Sequence, residues 1–389
     1  MVNIFYGYSA IWTLILFLYY LGWSDLCIEI NFGLLIFIIS SIIFSFVMGY
    51  IFRKKLKFIK LEENPHKSKK VTVILMAFFF LDILYAKQLP IFKVLNGVSY
   101  IDIDFTGIPI LHNFISSIAI FYSIYLSYIF FNFKDRKVLI ENILVVFFFV
   151  LLMQRQNILI CLALFCNIGL AANINKPINK VKKMNNIKKI IIVLIIIIFG
   201  LVVLYGFGIF GNIRYGSAWA WNDSSMITKL GQMNENYPDI LPKEYFWSYI
   251  YLVTSLVNLN YNISYYESSD SINEFVKEFI PDFISLRINN DSKININLPV
   301  QSLNASTAYV RAYLTYGFFG IFMLFFSQII ICVLVLNTTY KYNRTYFIVV
   351  CNALIYFLIF TFFTNTFTYS LTALVLFWAI LFSRKIKYR

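Results

Sequence analysis

Residues 190–210 read IIIVLIIIIFGLVVLYGFGIF, a run of 21 residues without a charged side chain. A helix of about 20 apolar residues matches the hydrocarbon thickness of a bilayer. The rest of the chain is similar, since 60% of its 389 residues are hydrophobic, 20% are aromatic and only 13% are charged. A soluble domain carries about a quarter charged residues. The composition therefore excludes a soluble enzyme and indicates an integral membrane protein.

Nine further segments resemble this one, so the sequence predicts an all-α polytopic membrane protein with about ten transmembrane helices. The ten predicted segments are 5–21, 30–52, 71–86, 109–131, 138–153, 157–172, 190–210, 307–336, 345–363 and 367–383. Helices 1–7 then occupy residues 1–210, and helices 8–10 occupy residues 307–389. Between them, residues 211–306 form one large outer loop with short amphipathic helices.

The positive charge of the chain is concentrated on one side of these predicted helices. Of the 33 Lys and Arg residues, 23 lie with only four acids in segments 53–70, 132–141, 173–189, 337–344 and 384–389. Cytoplasmic loops collect Lys and Arg, so both termini are predicted to be cytoplasmic. Topology thereby accounts for the net charge of +14, and no nucleic-acid partner is expected.

Two helices are predicted within the outer loop. Apolar residues at helical spacing predict a helix that lies on or partly in the membrane. These residues are Phe246, Trp247, Ile250, Val253, Leu256 and Val257. Farther along, Ser271 and Glu274 form a capping box for a helix that Pro281 ends, with five apolar residues on one face. Those five are Ile272, Phe275, Val276, Phe279 and Ile280.

No Walker A loop or GxGxxG motif occurs in the chain. The protein is therefore expected to use no nucleotide cofactor and to act on a substrate that is already activated, or on a gradient. The five Cys residues include no CxxC pair, so neither a disulfide framework nor a zinc site is expected.

Three arginines, Arg155, Arg214 and Arg311, lie on the predicted outer side, against the trend of the positive-inside rule. Arginine is suited to pyrophosphate because its planar guanidinium makes paired hydrogen bonds. The alternatives are snorkelling to the interface and pairing with loop acids. Arg155 lies between segments 138–153 and 157–172, and each of these segments is shorter than the hydrocarbon core of the bilayer. The Arg155 side chain is therefore placed either below the outer membrane surface or at the interface.

Few other ionisable groups are candidates for chemistry. His112 lies at the outer start of the fourth segment, whereas His66 is predicted to be solvated in a basic loop. Asp82 is the exception in helix middles that are otherwise nearly free of charge. Asp102 and Asp104 either hold a divalent metal on a sugar donor or are two loop carboxylates, which we favour.

The stretch Gly107–His112, GIPILH, resembles the GIP-x-LH element of bacterial oligosaccharide repeat-unit polymerases, the Wzy-type O-antigen and capsule polymerases. Arg155 in its short hairpin also resembles an arginine of that family. Further similar segments are Gly211–Arg214 (G-x-x-R), Tyr249–Asn262 with its Asn258-Leu259 pair, and Ser306–Gly320 with a motif like F-G-x-x-G. Tyr316 stands in the last motif where the family often has Phe.

The resemblance implies glycosyl transfer at the outer face of the bacterial inner membrane. A growing glycan would pass from undecaprenyl pyrophosphate to a sugar hydroxyl of the next lipid-linked repeat unit, building O-antigen or capsule. Arg155 and Arg214 would stabilise the leaving pyrophosphate, and His112 would be the first candidate base, before the loop acids Asp223 and Glu244. The expected substrate-binding residues are Arg311, Thr307, Tyr313, Asn258 and Tyr249. Lipid-linked glycans, the bilayer and a chain-length regulator are the expected partners.

Three alternatives remain open at this point. An O-antigen ligase shares the donor chemistry but transfers the chain once, to a different acceptor. A metal-dependent glycosyltransferase would need Asp102 and Asp104, and a glycolipid flippase would form no new glycosidic bond.

Overall fold

The computed structural model describes residues 3–96, 107–174, 186–215, 221–288 and 294–384. Within these ranges the structure is helical, and its only β-type pairing is an isolated bridge between Ser24 and Met233. The helices are α1 (Ile4–Tyr20), α2 (Phe32–Phe52), α3 (Lys70–Ala86), α4 (Pro90–Leu95), α5 (Leu111–Phe133), α6 (Arg136–Leu151), α7 (Arg155–Ile174), α8 (Asn186–Tyr215), α9 (Ser225–Leu230), α10 (Tyr245–Tyr265), α11 (Ile272–Lys277), α12 (Asp282–Ile288), α13 (Tyr309–Tyr342), α14 (Phe347–Ile359) and α15 (Ser370–Ser383).

The prediction of an all-helical membrane protein is confirmed. Each of the ten predicted segments coincides with one of the longer helices: α1, α2, α3, α5, α6, α7, α8, α13, α14 and α15. In the described ranges, five segments are long and apolar enough to cross a membrane by length and composition: Phe32–Phe52, Leu111–Phe133, Arg155–Asn173, Tyr309–Tyr342 and Arg344–Phe362.

Helix α14 lies at the centre of the bundle. Residues 347–358 are all buried, because α1, α5, α13 and α15 pack around this helix. The surrounding helices expose Phe, Leu and Ile on their outer surfaces, such as Phe46 at 57% and Leu334 at 60%. A core of this kind with an apolar exterior is expected for a bundle solvated by lipid.

Helix α3 buries only a narrow stripe, and this stripe has a polar residue at each end. Leu75 and Phe79 fill its middle, with Thr72 near the helix start and Asp82 near the helix end. We call the end of the bundle at Asp82 the site end. We call the opposite end the basic end, because the adjoining loop, residues 53–69, is rich in Lys.

The His66 side chain is only 9% exposed at the basic end, so its prediction as a solvated residue is wrong. Its imidazole Nε2 lies 3.2 Å from a carboxylate oxygen of Glu141, which is itself buried on α6. The Thr72 hydroxyl donates to the same carboxylate at 2.6 Å. A buried carboxylate needs such partners, and these contacts attach the basic loop to α3 and α6.

Helix α10, which the sequence predicts to lie on or partly in the membrane, packs against other protein segments along most of its length. All six apolar residues of the predicted stripe are buried. Its other faces carry amides that bond to neighbouring segments: Asn260 donates to Tyr19 Oη and the Glu29 carbonyl, and Asn258 donates to the Leu303 and Ala305 carbonyls. Protein atoms satisfy these amides, which the apolar stripe alone does not reveal.

The second predicted loop helix is shorter than expected. The Ser271 hydroxyl accepts a hydrogen bond from Glu274 N, which confirms the predicted N-cap. However, α11 ends at Lys277, and Pro281 comes directly before a separate helix, α12. Of the predicted apolar face, Phe275 is buried while Ile272 and Val276 are exposed.

Helix α13 is broken at Tyr316–Gly317, within the segment that resembles F-G-x-x-G. Gly317 has φ 57° and ψ −153°, a backbone conformation that is essentially restricted to glycine. The carbonyls released by the break are satisfied by the preceding loop, because Ser269 N donates to Leu314 O and Ser271 N to Thr315 O. The sequence predicts a continuous helix here and misses the break.

Gly317→Ala is expected to destabilise the protein by about 1–3 kcal/mol, since alanine is strained at this backbone conformation. Gly200→Ala is the matched control, because a Cβ at Gly200 meets no atom within 4 Å. Thermal unfolding of both variants in detergent, followed by tryptophan fluorescence, measures the difference. Equal melting temperatures for the two variants would contradict the assignment of strain to Gly317.

Candidate active site

The site is organised by a carboxylate that is buried near the end of an apolar helix. Asp82 on α3 is 0% exposed. Its Oδ1 accepts a hydrogen bond from Ile108 N at 2.7 Å, and its Oδ2 lies 2.6 Å from His112 Nδ1. Leaving such a charge without partners costs several kcal/mol, so these contacts bring the start of α5 onto α3.

The GIPILH segment places His112 through a strained turn. Ile110 has φ 67° and ψ −46°, and Leu111 N donates to Pro109 O across it, which together form a γ-turn with positive φ. A β-branched residue in this conformation costs about 1–3 kcal/mol. Strain of this size is tolerated where the surrounding contacts require it, and here it positions the first turn of α5 against Asp82.

A second turn with a non-glycine residue at positive φ lies between α6 and α7, at residues 152–154, which we call the hairpin tip. Met153 has φ 56°, a left-handed conformation that usually favours glycine. Met153 N donates to Val150 O and Gln154 N donates to Phe149 O, the pattern of a Schellman motif. The motif ends α6 abruptly and places Gln154 beside His112.

A chain of hydrogen bonds connects the hairpin tip to the buried carboxylate. Asn157 Nδ2 donates to Gln154 Oε1 at 2.8 Å, so the Gln154 amide nitrogen is directed toward His112 Nε2, also at 2.8 Å. That amide is a donor, so Nε2 is an acceptor and the imidazole proton lies on Nδ1, facing Asp82. The geometry is that of a neutral histidine whose basic nitrogen faces the hairpin tip.

Arg155 follows Gln154 directly and starts α7. Its guanidinium carbon lies 5.2 Å from the centre of the Phe207 ring on α8, within the range of a cation–π contact. From Phe207 an aromatic row continues to Tyr251 on α10 at 5.3 Å and to Phe363 at 5.4 Å. Two of the three predicted catalytic residues, His112 and Arg155, are therefore linked through Gln154, which contacts His112 and directly precedes Arg155.

The remaining predicted residues occupy other positions. Arg214 belongs to α8, but its side chain lies outside the described residues. Arg311 is half-buried on α13, and its Nε has no hydrogen-bond partner. Tyr313 is half-buried on the same helix, with its hydroxyl 3.4 Å from Ile263 O.

Three predicted substrate-binding residues instead make structural hydrogen bonds to backbone atoms. Asn258 is buried and binds two backbone carbonyls, and Thr307 Oγ1 accepts from Tyr309 N at the start of α13. Tyr249 is also buried, and its hydroxyl accepts from Trp23 N. Its neighbour Cys27 lies outside the helices, and burial raises the pKa of that thiol to about 11.

The secondary base candidates are placed differently from His112. Asp223 is exposed and accepts a hydrogen bond from Ser225 N. Hydrogen bonds from Ser225 lower the pKa of the Asp223 carboxyl, which makes it a weaker base. Glu244 is buried directly before α10, and its carbonyl accepts from Trp247 N.

Asp102 and Asp104 lie outside the described residues. Within the part of the chain that the structure describes, no group of three or more His, Cys, Asp or Glu side chains is placed to hold a metal ion.

Gln154 and Asn157 are site residues that sequence analysis does not identify, and Asp82 is one that it singles out without assigning a role. Asp82 offers a signal, because a single acid in an apolar helix requires a partner. The sequence does not say which partner, since Asp82 and His112 are 30 residues apart. Gln154 and Asn157 carry no comparable signal, because amides are common in turns.

The imidazole of His112 is expected to carry its proton on Nδ1. The chain contains two histidines, so His66→Gln leaves a single resonance to assign. Nitrogen-15 spectra of this variant, labelled at histidine, should show a protonated Nδ1 and an unprotonated Nε2. An Nε2–H tautomer would contradict the hydrogen-bond chain.

Comparison with protein-family models, curated proteins and solved structures finds no match to this chain. The site itself therefore carries the information on function. That site is a histidine oriented by a buried carboxylate, joined through Gln154 to a hairpin tip that is followed directly by Arg155.

Proposed function

We propose that the protein is a glycosyltransferase that polymerises oligosaccharide repeat units carried on undecaprenyl pyrophosphate. The observation that carries the proposal is the contact between Gln154 and His112, which attaches the basic nitrogen to the residue that directly precedes Arg155 in the chain. A base and a fixed cation are the two groups that this transfer requires. The resemblance of GIPILH and of the Arg155 hairpin to repeat-unit polymerases agrees with these roles.

In the proposed reaction, a sugar hydroxyl of the acceptor attacks the anomeric carbon of the donor glycan. The new carbon–oxygen bond forms as the bond from that carbon to the pyrophosphate oxygen breaks. His112 Nε2 takes the proton of the acceptor hydroxyl, and the lipid pyrophosphate leaves with the electron pair. Asp82 keeps the Nδ1 proton in place and stabilises the imidazolium that forms.

Gln154 occupies the position that the acceptor needs. Its amide donates to Nε2 at 2.8 Å, so an acceptor hydroxyl must replace this amide before it transfers a proton. A hydroxyl donating to Nε2 restores the hydrogen bond that Gln154 gives up, so the exchange costs little. Until an acceptor arrives, the amide keeps water from the base, which protects the donor from hydrolysis.

Arg155 stabilises the charge that develops on the leaving pyrophosphate. A fixed guanidinium needs no reorganisation during the reaction, and in a site with little water it acts strongly. Arg214 and Arg311 are further candidates for the same anion. Tyr251, which contacts the Phe207 ring beside Arg155 and is 39% exposed, offers an aromatic surface for the sugars of the donor glycan.

We further propose that ten helices cross the bacterial inner membrane with both termini in the cytoplasm. The basic loops then face the cytoplasm in agreement with the positive-inside rule, and the site end faces outward. This orientation supplies the site with glycans on the outer surface. A chain-length regulator remains the expected protein partner.

Purified protein in lipid should extend a synthetic undecaprenyl-pyrophosphate repeat unit into a ladder of products, with or without EDTA. Arg155→Ala is expected to slow extension by about 10²–10³. His112→Gln is expected to slow it by about 10²–10⁴. Gel electrophoresis and mass spectrometry of the products measure the rates.

The matched controls are Arg287→Ala, an exposed arginine on α12, and His66→Gln at the basic end. Both should keep the wild-type rate. A single transfer without a ladder would indicate a ligase. Loss of activity in EDTA would indicate a metal-dependent transferase. No new glycosidic bond with the correct sugars would overturn the proposal and favour transport.

A further inference from the structure

An apolar furrow runs down the bundle from Arg155 between α6 and α7. Its upper part is a cavity of about 270 Å³ at the hairpin tip, closed on one side by α8. Its lower part is a cavity of about 320 Å³ between α6 and α7. Val150 lines both cavities, so the two adjoin at this residue, and we call them together the furrow.

The sequence order of the lining residues gives the direction of the furrow. On α6 the lining descends from Met153 to Leu139, and on the antiparallel α7 it descends from Ile158 to Phe165. At about 1.5 Å per residue, the stretch from Leu139 to Val150 alone covers about 17 Å. The furrow therefore extends deep along the helices, parallel to the direction of a lipid chain.

The furrow is open along its side and apolar along its length. The residues along its edges are exposed: Ile143 is 58% exposed, Phe147 49% and Leu162 48%. The amide of Asn142 lies at its lower end, but Ser123 and Ser127 on α5 satisfy that amide. Among the residues that line the two cavities, Arg155 is the one charged group, and it lies at the upper end.

We infer that this furrow binds the polyisoprenoid chain of the lipid-linked donor, with the phosphate nearest the chain at Arg155. The inference rests on the proposed function and names the binding site of the donor's lipid. A single cation at one end of an apolar groove complements an anionic head followed by one long hydrocarbon chain. Two cavities in line suit one chain, whereas a glycerophospholipid carries two.

Such a chain would be positioned for reaction by the fold. A chain held in the furrow brings its phosphate to Arg155, the residue that follows Gln154, whose amide contacts the base on His112. The sideways opening lets the chain enter from the membrane without leaving the hydrocarbon region. Binding of the lipid thereby orients the sugar–phosphate bond toward the site.

Gly206 offers a direct way to block the furrow. It lines the upper cavity from α8, and a Cβ built on it meets no atom within 4 Å. Gly206→Phe should therefore place a ring in the groove without displacing the helix. Gly200→Phe is the matched control, because Gly200 lies on the same helix with equally open space and does not line either cavity.

Native mass spectrometry with undecaprenyl monophosphate as the probe tests the inference independently of catalysis. Wild type and Gly200→Phe should bind it alike, and Gly206→Phe should bind it about tenfold more weakly, the loss expected when a few methylene contacts are displaced. Gly206→Leu, a smaller obstruction, should lose less. Equal binding of phosphatidylglycerol, or unchanged binding by Gly206→Phe, would overturn the inference.

Chain extension in the same variants separates the two proposals. Binding that depends on Gly206 without any chain extension would support the furrow and contradict the polymerase. Chain extension that proceeds unchanged in Gly206→Phe would support the polymerase and contradict the furrow.

Discussion

The buried carboxylate of Asp82 is the constraint on which the arrangement of the site depends. A carboxylate with no exposure on an apolar helix is tolerated only if its oxygens are satisfied, and removing a partner of a buried charge costs about 3–5 kcal/mol. Ile108 N and His112 Nδ1 satisfy them. The same contacts that stabilise α3 in the bundle therefore orient the imidazole. The base on His112 is thus oriented as soon as the protein is folded.

The groups of the site are held by backbone that is strained rather than flexible. Ile110 and Met153 both adopt positive φ although neither is glycine. One directs His112 toward Asp82, and the other directs Gln154 toward His112. The packing of α3, α5, α6 and α7 compensates for the strain at these two turns, as expected for a preorganised site. At the opposite end of α3, Thr72 and His66 satisfy Glu141, so the helix is secured at both ends of its buried stripe.

The helices could be predicted from the sequence because apolar runs of membrane length are a local property. All ten predicted segments coincide with helices, and the hairpin around Arg155 lies where its two short segments place it. What could not be predicted depends on distant partners. The enclosure of α10 follows from amides that find carbonyls elsewhere, and the break at Gly317 follows from a loop that satisfies the released backbone. The pairing of Asp82 with His112 likewise becomes visible only in the folded structure, although a single acid in an apolar helix indicates that it has a partner.

The central claim is that Asp82 acts on the reaction only through His112. A double-mutant cycle on the rate of chain extension, with Asp82→Asn and His112→Gln, tests it most directly. Asn keeps the size of the side chain and still accepts from Ile108 N, while it removes the charge that orients the imidazole. The account predicts that the double variant is as slow as His112→Gln alone. If the double variant is instead slowed by the product of the factors measured for the two single variants, the two residues act independently and the claim is contradicted.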